Sequence, residues 1–204
     1  MKRSAPTPLA VQGVTSEPPP VLPEILAPGL AVVFCGINPA TTSALVGKPF
    51  VSSTNRFWHV LYRAGFTPER LQPEDAGSVL RYRCGITAAV TRATPKAADL
   101  TREEIRAAGA SLKRKIRNYW PQVIAFLGKA AFAAIADDSD VTWGRQPDRF
   151  SGAVGWVLPN PSGRNRMLRT EDLVQAYSEL REYLAPKTQG PVRPTPSAGR
   201  YLAL

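Results

Sequence analysis

Short apolar runs and longer amphipathic segments alternate along the middle of this chain. Continuous apolar runs of strand length occupy residues 31–35, 123–127 and 155–158, and a weaker candidate lies at residues 82–86. Apolar residues at helical spacing, with start and stop signals, predict helices over residues 54–64, 73–80, 101–118, 129–136 and 170–184. Such alternation is typical of an α/β fold, so we expect a small parallel sheet of four or five strands flanked by helices.

Both ends of the chain differ in composition from this middle part. Residues 1–24 are rich in proline, serine and threonine, and residues 185–204 combine further prolines with Lys187, Arg193 and Arg200. Segments of this composition bury too little apolar surface to fold. We therefore predict a disordered Pro-rich tail over residues 1–24, one domain over residues 25–184, and a Pro-rich basic tail over residues 185–204.

The composition adds a charge preference. Of the 204 residues 44% are hydrophobic, which is enough for a core, and the formal net charge is +10. A strongly basic protein favours a polyanionic partner, although charge bears on association and not on fold. Basic residues cluster in residues 102–118 and 144–169. A solvated surface is an equally good interpretation of the first cluster.

Cysteine and histidine usage limits the chemistry. Cys35 and Cys84 each end an apolar run and are expected in the core of a protein from a reducing compartment. His59 is the single histidine and cannot build a His/Cys metal cluster alone, so we expect neither a metal nor another cofactor. No segment approaches the ~20 apolar residues of a membrane span. We therefore expect a cytoplasmic, nucleoid-associated protein that does not contact membranes.

Two Asn-Pro turns follow apolar runs that are far apart in the sequence. Gly36-Ile37-Asn38-Pro39 follows the first run, and Asn160-Pro161-Ser162-Gly163 follows the last. Because the carboxyl ends of parallel strands meet at one edge of a sheet, the two turns are expected to share a site there. Taken alone, Asn38 has a simpler interpretation, in which its amide only shapes the turn.

The two turns, together with Ser53-Thr54-Asn55-Arg56-Phe57-Trp58 and Tyr82-Arg83-Cys84-Gly85-Ile86-Thr87, resemble motifs of the mismatch-specific uracil-DNA glycosylases. These enzymes are relatives of the thymine-DNA glycosylases. The resemblance covers roughly residues 25–184 and implies the three-layer α/β fold of uracil-DNA glycosylases. It also implies hydrolysis of the N-glycosidic bond of uracil, and of related damaged pyrimidines, in U·G mismatches of double-stranded DNA. The product would be an abasic site.

The resemblance also implies a base pocket. Asn38 would be the catalytic residue and would orient the attacking water through its amide oxygen. Since an amide is a poor proton acceptor, such an enzyme should be slow and depend on how readily the base leaves. Phe50 would stack on the flipped base, with core packing as the alternative interpretation. The other implied pocket residues are Gly36, Ile37, Asn160 and, near the pyrimidine C5 edge, Ser43.

The second turn continues into a segment that resembles the insertion loop of this family, which enters the minor groove and fills the gap left by the flipped base. The implied DNA-binding residues are Ser162, Gly163, Arg164, Asn165 and Arg166. Some relatives carry an apolar residue where this chain has Arg164, which leaves recognition of the opposite guanine open. Arg166 suits a phosphate contact. A generic basic surface is the alternative interpretation of these arginines.

We therefore expect a monofunctional and monomeric enzyme whose partner is double-stranded DNA with U·G or damaged-pyrimidine mispairs. One alternative is a nucleotide-binding α/β protein, although Gly36-Ile37-Asn38-Pro39 is neither G-x-G-x-x-G nor a P-loop. Another is a non-catalytic DNA-binding protein with salt-dependent duplex affinity. The last alternative predicts no preference for a mismatched or abasic site, whereas an enzyme that flips a base should show one.

Overall fold

A single five-stranded sheet forms the centre of the molecule, which the computed structural model describes over residues 21–186. The strands are β1 (Val32–Gly36), β2 (Cys84–Ala88), β3 (Val123–Leu127), β4 (Gly144–Phe150) and β5 (Ala153–Leu158). Their order across the sheet is β2-β1-β3-β5-β4. All pairs are parallel except β4 with β5. The predicted small α/β sheet is therefore confirmed, with one antiparallel strand at its edge.

Helices cover both faces of the sheet. The α-helices are α1 (Thr41–Val46), α2 (Phe57–Arg63), α3 (Arg102–Tyr119), α4 (Lys129–Ala136) and α5 (Thr170–Leu184), and 3₁₀-helices span Pro73–Tyr82 and Ala97–Asp99. One apolar core lies between the sheet and α2, α5 and the first 3₁₀-helix. A second core lies between the opposite face and α3 and α4. This arrangement gives the expected three layers.

The central strands are apolar on both faces because both faces are covered. In β1, Val32 and Phe34 belong to the first core and Cys35 to the second, as the two-residue period of a strand requires. Phe34 packs edge-on against Phe57 and Phe66, with ring centroids 5.5 and 5.3 Å away. Burial of each such ring contributes about 2 kcal/mol to folding. Cys35 and Cys84 are both buried free thiols, as predicted.

Two of the predicted element starts that differ from the structure have a clear local cause. The helix expected from residue 54 begins at Phe57, because Asn55 Oδ1 accepts a hydrogen bond from Phe57 N and Arg56 N donates to Pro161 O. The strand expected from residue 82 begins at Cys84, because Arg83 has a φ of 57° and ends the preceding 3₁₀-helix. By contrast, Thr101 Oγ1 caps α3 by accepting a hydrogen bond from Glu104 N over 3.1 Å, as its capping-box pattern predicts.

Besides the three-residue 3₁₀-helix Ala97–Asp99, two elements were not predicted from the sequence. α1 has only six residues, too few for a helical period to be visible. β4 has polar, exposed positions and contains Pro147, which is compatible only with an edge strand. The two-residue turn Ser151-Gly152, with φ values of 52° and 96°, reverses the chain into β5 and makes β4 antiparallel.

The four parallel strands end at the same edge of the sheet. Gly36, Ala88, Leu127 and Leu158 are the last residues of β1, β2, β3 and β5. The two Asn-Pro turns therefore leave the sheet on the same side, as the sequence predicted. No helix within residues 21–186 is long and apolar enough to cross a bilayer. Most of the two predicted tails, residues 1–20 and 187–204, lie outside the described residues.

Candidate active site

A cavity of about 1040 Å³ opens at the carboxyl edge of the sheet. Its wall contains most of the residues implied by the sequence: Gly36, Ile37, Asn38, Ser43, Phe50, Asn160, Ser162, Gly163, Arg164 and Asn165. Arg166 is exposed and does not belong to the wall. Further parts of the wall come from segments 21–24, 39–42, 52–55, 86–88 and 91–98, and from Pro49 and Leu127. The fold thus brings both Asn-Pro turns to one cavity.

The side-chain amide of Asn38 has a defined orientation. Its Nδ2 donates to the carbonyl oxygen of Arg92 over 2.9 Å and to Thr94 Oγ1 over 2.8 Å. Thr94 Oγ1 can accept here because its own hydrogen is donated to Lys96 O over 2.7 Å. A carbonyl oxygen only accepts, so both partners require the nitrogen of the amide. Asn38 Oδ1 is thereby left as the acceptor for a group in the cavity.

The loop that orients Asn38 is itself fixed to the sheet edge. Thr94 N donates to Pro39 O and Thr41 N donates to Thr94 O, each over 3.1 Å. On the outside, the guanidinium of Arg92 holds Glu104 of α3 through two hydrogen bonds of 2.7 and 2.8 Å. This contact lowers the pKa of the Glu104 carboxyl below its ordinary value. Thr91 and Thr94 of this loop belong to the cavity wall, whereas Ala93 does not.

The floor of the cavity is formed by the end of β1. The carbonyls of Gly36 and Ile37 accept hydrogen bonds from Ala89 N and Val90 N, each over 2.9 Å. Ser43 on α1 is buried and belongs to the wall. Cys35 lies directly before this turn, and burial raises the pKa of its thiol to about 12. It is therefore protonated near neutral pH and cannot serve as a nucleophile there.

Phe50 combines a role in packing with a position at the cavity. Its ring stacks on Phe57, with centroids 4.0 Å apart and planes 24° apart. Because Phe57 covers one face, the opposite face of Phe50 is the one that a planar base can contact. Phe50 has a φ of 57°, which is unusual for a residue other than glycine and marks a conformation imposed by its surroundings. The two interpretations of this residue are therefore compatible.

Asn160 begins the second turn and also lines the cavity. Its Oδ1 accepts a hydrogen bond from Ser162 N over 2.9 Å, and its carbonyl accepts from Asn165 Nδ2 over 3.0 Å. Among the hydrogen bonds of the described residues, none uses Nδ2 of Asn160 as the donor. This NH₂ group is suited to a carbonyl oxygen of a ligand in the cavity.

The insertion loop, which we define as residues 160–168, is held by Arg56. The guanidinium donates to the carbonyls of Asn165 and Leu168 over 2.8 Å each, and to that of Ser162 over 3.4 Å. These contacts show that the start of α2 connects the two sides of the site, since the neighbouring Phe57 stacks against the ring of Phe50.

Glu24 is a charged wall residue that sequence reasoning missed. It was assigned to the Pro-rich tail, but it belongs to the cavity wall. It pairs with Lys115 of α3 and accepts a hydrogen bond from Thr87 Oγ1. The next residue, Ile25, is fixed to β2 by two hydrogen bonds with Ile86, of 2.9 and 2.8 Å. No motif signals this contact, because it depends on packing between segments that are distant in the sequence.

The wall is short of groups for metal or strong base catalysis. Within residues 21–186, no three or more His, Cys, Asp or Glu side chains come together as a metal site. Among these residues, Glu24 is the carboxylate in the wall, and Lys115 and Thr87 already engage it. His59 lies on α2 outside the wall, and its pKa is lowered mainly by burial and also by Arg70 and Arg63.

A comparison with protein families relates this chain to a known superfamily. The sequence model described as the uracil DNA glycosylase superfamily matches residues 23–181. The match covers most of the chain and spans both Asn-Pro turns, the loop that holds Asn38 and the insertion loop. It begins at residue 23 and therefore includes Glu24.

Proposed function

Because this chain belongs to the uracil DNA glycosylase superfamily, we propose that it excises uracil from U·G mispairs in double-stranded DNA. The superfamily supports a DNA glycosylase that acts on uracil, with DNA as its partner. The finer proposal is the mismatch-specific subtype, which hydrolyses the N-glycosidic bond of uracil or a related damaged pyrimidine and leaves an abasic site. The domain proposed for this activity covers residues 25–184, together with the wall residue Glu24.

The orientation of the Asn38 amide is the observation that carries this proposal. With Nδ2 held by Arg92 O and Thr94 Oγ1, Asn38 Oδ1 can accept a hydrogen bond from a water below C1′ of the flipped nucleotide. The amide orients this water but does not remove its proton efficiently. The reaction is therefore proposed to start with departure of the base, before the water has formed much of its bond to C1′.

The remaining wall residues suit a flipped uracil. The free face of Phe50 can stack on the ring, and Asn160 Nδ2 can donate to a uracil carbonyl oxygen. Gly36 and Ile37 provide backbone at the ring edge, and Ser43 is proposed to lie near C5. A hydrogen bond to a uracil oxygen stabilises the negative charge that develops as the base leaves. Bases that leave more readily, such as 5-fluorouracil, are therefore expected to be cleaved faster.

The insertion loop is proposed to contact the duplex around the flipped nucleotide. Ser162, Gly163, Arg164 and Asn165 lie at the cavity and so would face the extruded nucleotide, whereas the exposed Arg166 suits a phosphate. The enzyme is proposed to act as a monomer without a bound metal or cofactor. It is also proposed to be monofunctional, which means that it does not cleave the abasic site through a Schiff base. Because Lys96 lies in the wall, borohydride trapping of a Schiff base with the abasic sugar tests this proposal.

The first experiment is single-turnover cleavage of a labelled duplex with one U·G pair, followed by alkali treatment. Asn38→Ala should reduce the rate by roughly 10²-fold, since the water loses its orienting group. Asn118→Ala, at an exposed residue of α3, is the matched control and should cleave like the parent chain. Cleavage that is equal in all three proteins would reject Asn38 as the catalytic residue. Binding without cleavage of U·G would favour a non-catalytic DNA-binding protein.

A further inference from the structure

One apolar side chain of the insertion loop stands almost free in solvent. Met167 is 91% exposed, more than any other large hydrophobic residue within residues 21–186. Its neighbour Leu168 packs against the first apolar core. The chain therefore turns Leu168 inward and leaves Met167 outward. A fully exposed Met contributes little to folding stability, so this side chain is available to a partner that covers it.

The loop that carries Met167 is fixed at its base. Arg56 binds the carbonyls of Asn165 and Leu168, which flank Met167 on both sides in the sequence. The side chain of Asn165 also donates to the carbonyl of Asn160 over 3.0 Å. A loop held by these contacts presents its tip with little loss of conformational entropy on binding.

The charges around Met167 indicate what its partner is. Arg164, Arg166 and Arg169 are exposed in the same stretch of chain. The side chain of Arg169 is 82% exposed, and its ion pair with Asp172 is long, at 3.4 Å. An apolar tip among several cations complements a duplex, whose phosphates attract the arginines and whose base stack accepts an apolar side chain.

We propose that Met167 is the residue of this chain that inserts into the base stack when a nucleotide is flipped. The inference rests on the proposed glycosylase function and assigns the insertion to a residue that the sequence motifs do not mark. Arg164 occupies the position where some relatives have an apolar side chain, but here it belongs to the cavity wall. An unbranched thioether enters a base stack without the desolvation cost of a guanidinium.

The test measures the affinity of the full chain for two duplexes of the same sequence. One carries a tetrahydrofuran abasic analogue opposite guanine, and the other carries an intact G·C pair. Met167→Gln keeps the length of the side chain but makes it polar, Met167→Leu keeps it apolar, and Tyr62→Gln changes another exposed residue as a control. Sedimentation of the free proteins is measured alongside, because a second copy of the chain could also cover an apolar tip.

Met167→Gln should lose affinity for the abasic duplex by roughly tenfold. This factor is at the low end of the affinity that burial of a Met side chain provides. Met167→Leu and Tyr62→Gln should bind both duplexes like the parent chain, and no variant should change binding of the intact duplex. Equal binding by Met167→Gln and the parent, or an equal loss on both duplexes, would overturn the inference. Self-association that depends on Met167 would also overturn it.

The outcomes separate this inference from the proposed function. A preference for the abasic duplex that requires Met167, in a protein that leaves uracil uncleaved, would support the insertion and reject the glycosylase proposal. Normal U·G cleavage in Met167→Gln with an unchanged abasic preference would reject the insertion alone.

Discussion

Asn38 and Thr94, which are 56 residues apart, meet through a hydrogen bond of 2.8 Å from Nδ2 to Oγ1. The hydroxyl of Thr94 can accept it because its hydrogen is already bound to Lys96 O. Together with the carbonyl of Arg92, this bond fixes which end of the Asn38 amide faces the cavity. Thr94 therefore acts through Asn38 as a positioning residue.

Removal of the Thr94 hydroxyl should slow cleavage of uracil without weakening DNA binding. In Thr94→Val, one hydrogen of Asn38 Nδ2 loses its acceptor and the amide becomes freer to rotate. We expect a loss of roughly tenfold in the single-turnover rate on a U·G duplex, as for other small misplacements of catalytic groups. Affinity for an abasic-analogue duplex, measured by anisotropy, should stay within about twofold.

Thr94→Ser provides the control for this prediction, because it keeps the hydroxyl and removes only the methyl group. It should cleave at nearly the parent rate. If Thr94→Val and Thr94→Ser cleave equally fast, the hydroxyl does not orient Asn38.

Arg56 should be irreplaceable by lysine. Its planar guanidinium reaches three carbonyls of the insertion loop, at Ser162, Asn165 and Leu168, whereas an ammonium group cannot match this geometry. Arg56→Lys should lose about 1 kcal/mol of unfolding free energy, measured by urea denaturation, since partly buried carbonyls lose donors. Affinity for the abasic-analogue duplex should fall by roughly tenfold, because the loop loses its fixed conformation.

The control for Arg56 is Arg63→Lys, at the exposed end of α2. This variant should match the parent in both stability and DNA affinity. If the Arg56→Lys protein binds the duplex normally, the insertion loop reaches its bound conformation without the hydrogen bonds of the Arg56 guanidinium.

The sequence predicts those parts of the fold that carry a strong local pattern. The buried strand β3 and the helix α5 were found with the observed bounds, because their apolar residues repeat at the strand or helix period. β4 was missed, since an exposed edge strand has little apolar pattern. Its antiparallel direction follows from the two-residue turn at Ser151-Gly152, where both residues have positive φ values.

The candidate site likewise has one part that the sequence predicts and another part that it does not. Asn38 and Asn160 could be placed together because both follow strands of one parallel sheet. The contacts of Arg56 with residues 162–168 and of Glu24 with Lys115 could not be inferred, because they join segments far apart in the sequence. Their partners are mostly backbone carbonyls or single side chains, which leave no pattern in the sequence. The roles of the site residues remain predictions that the experiments above address.

The buried thiols should make the protein less stable at alkaline pH. Burial raises the pKa of Cys35 and of Cys84 from 9.0 to about 12. Below pH 9 both thiols are protonated in either state and their contribution is fully present. As the pH rises from 9 towards 12, the unfolded chain loses these protons first, so each thiol lowers stability by about 1 kcal/mol per pH unit.

Urea denaturation at about pH 8 and about pH 10 tests this effect. The parent chain should lose stability between the two values, and Cys35→Ala should lose less, although it starts lower because it leaves a small cavity. Other groups also titrate in this range, so the difference between the two slopes is the informative quantity. Parallel slopes would mean that the Cys35 thiol ionises as readily in the folded protein as in the unfolded one.

Gly163 should not tolerate alanine, because the insertion loop passes very close to the segment before α2. A Cβ at Gly163 would lie 2.5 Å from Cβ, Oγ1 and the carbonyl oxygen of Thr54. Relief of this overlap requires movement of the backbone, at a cost of about 1–3 kcal/mol. The movement displaces two parts of the cavity wall, so we expect the U·G cleavage rate of Gly163→Ala to fall by roughly tenfold or more.

Gly77→Ala is the matched control, since a Cβ there would meet nothing within 4 Å. It should be neutral or slightly stabilising, through the lower entropy of the unfolded chain. A second variant separates the two sources of overlap. Adding Thr54→Gly to Gly163→Ala removes the side-chain overlap but leaves the carbonyl oxygen at 2.5 Å, so recovery of the cleavage rate should be partial. Full recovery would show that overlap with the Thr54 side chain is the sole reason why residue 163 must be glycine. It would also show that the two backbone segments can move apart without loss of catalysis.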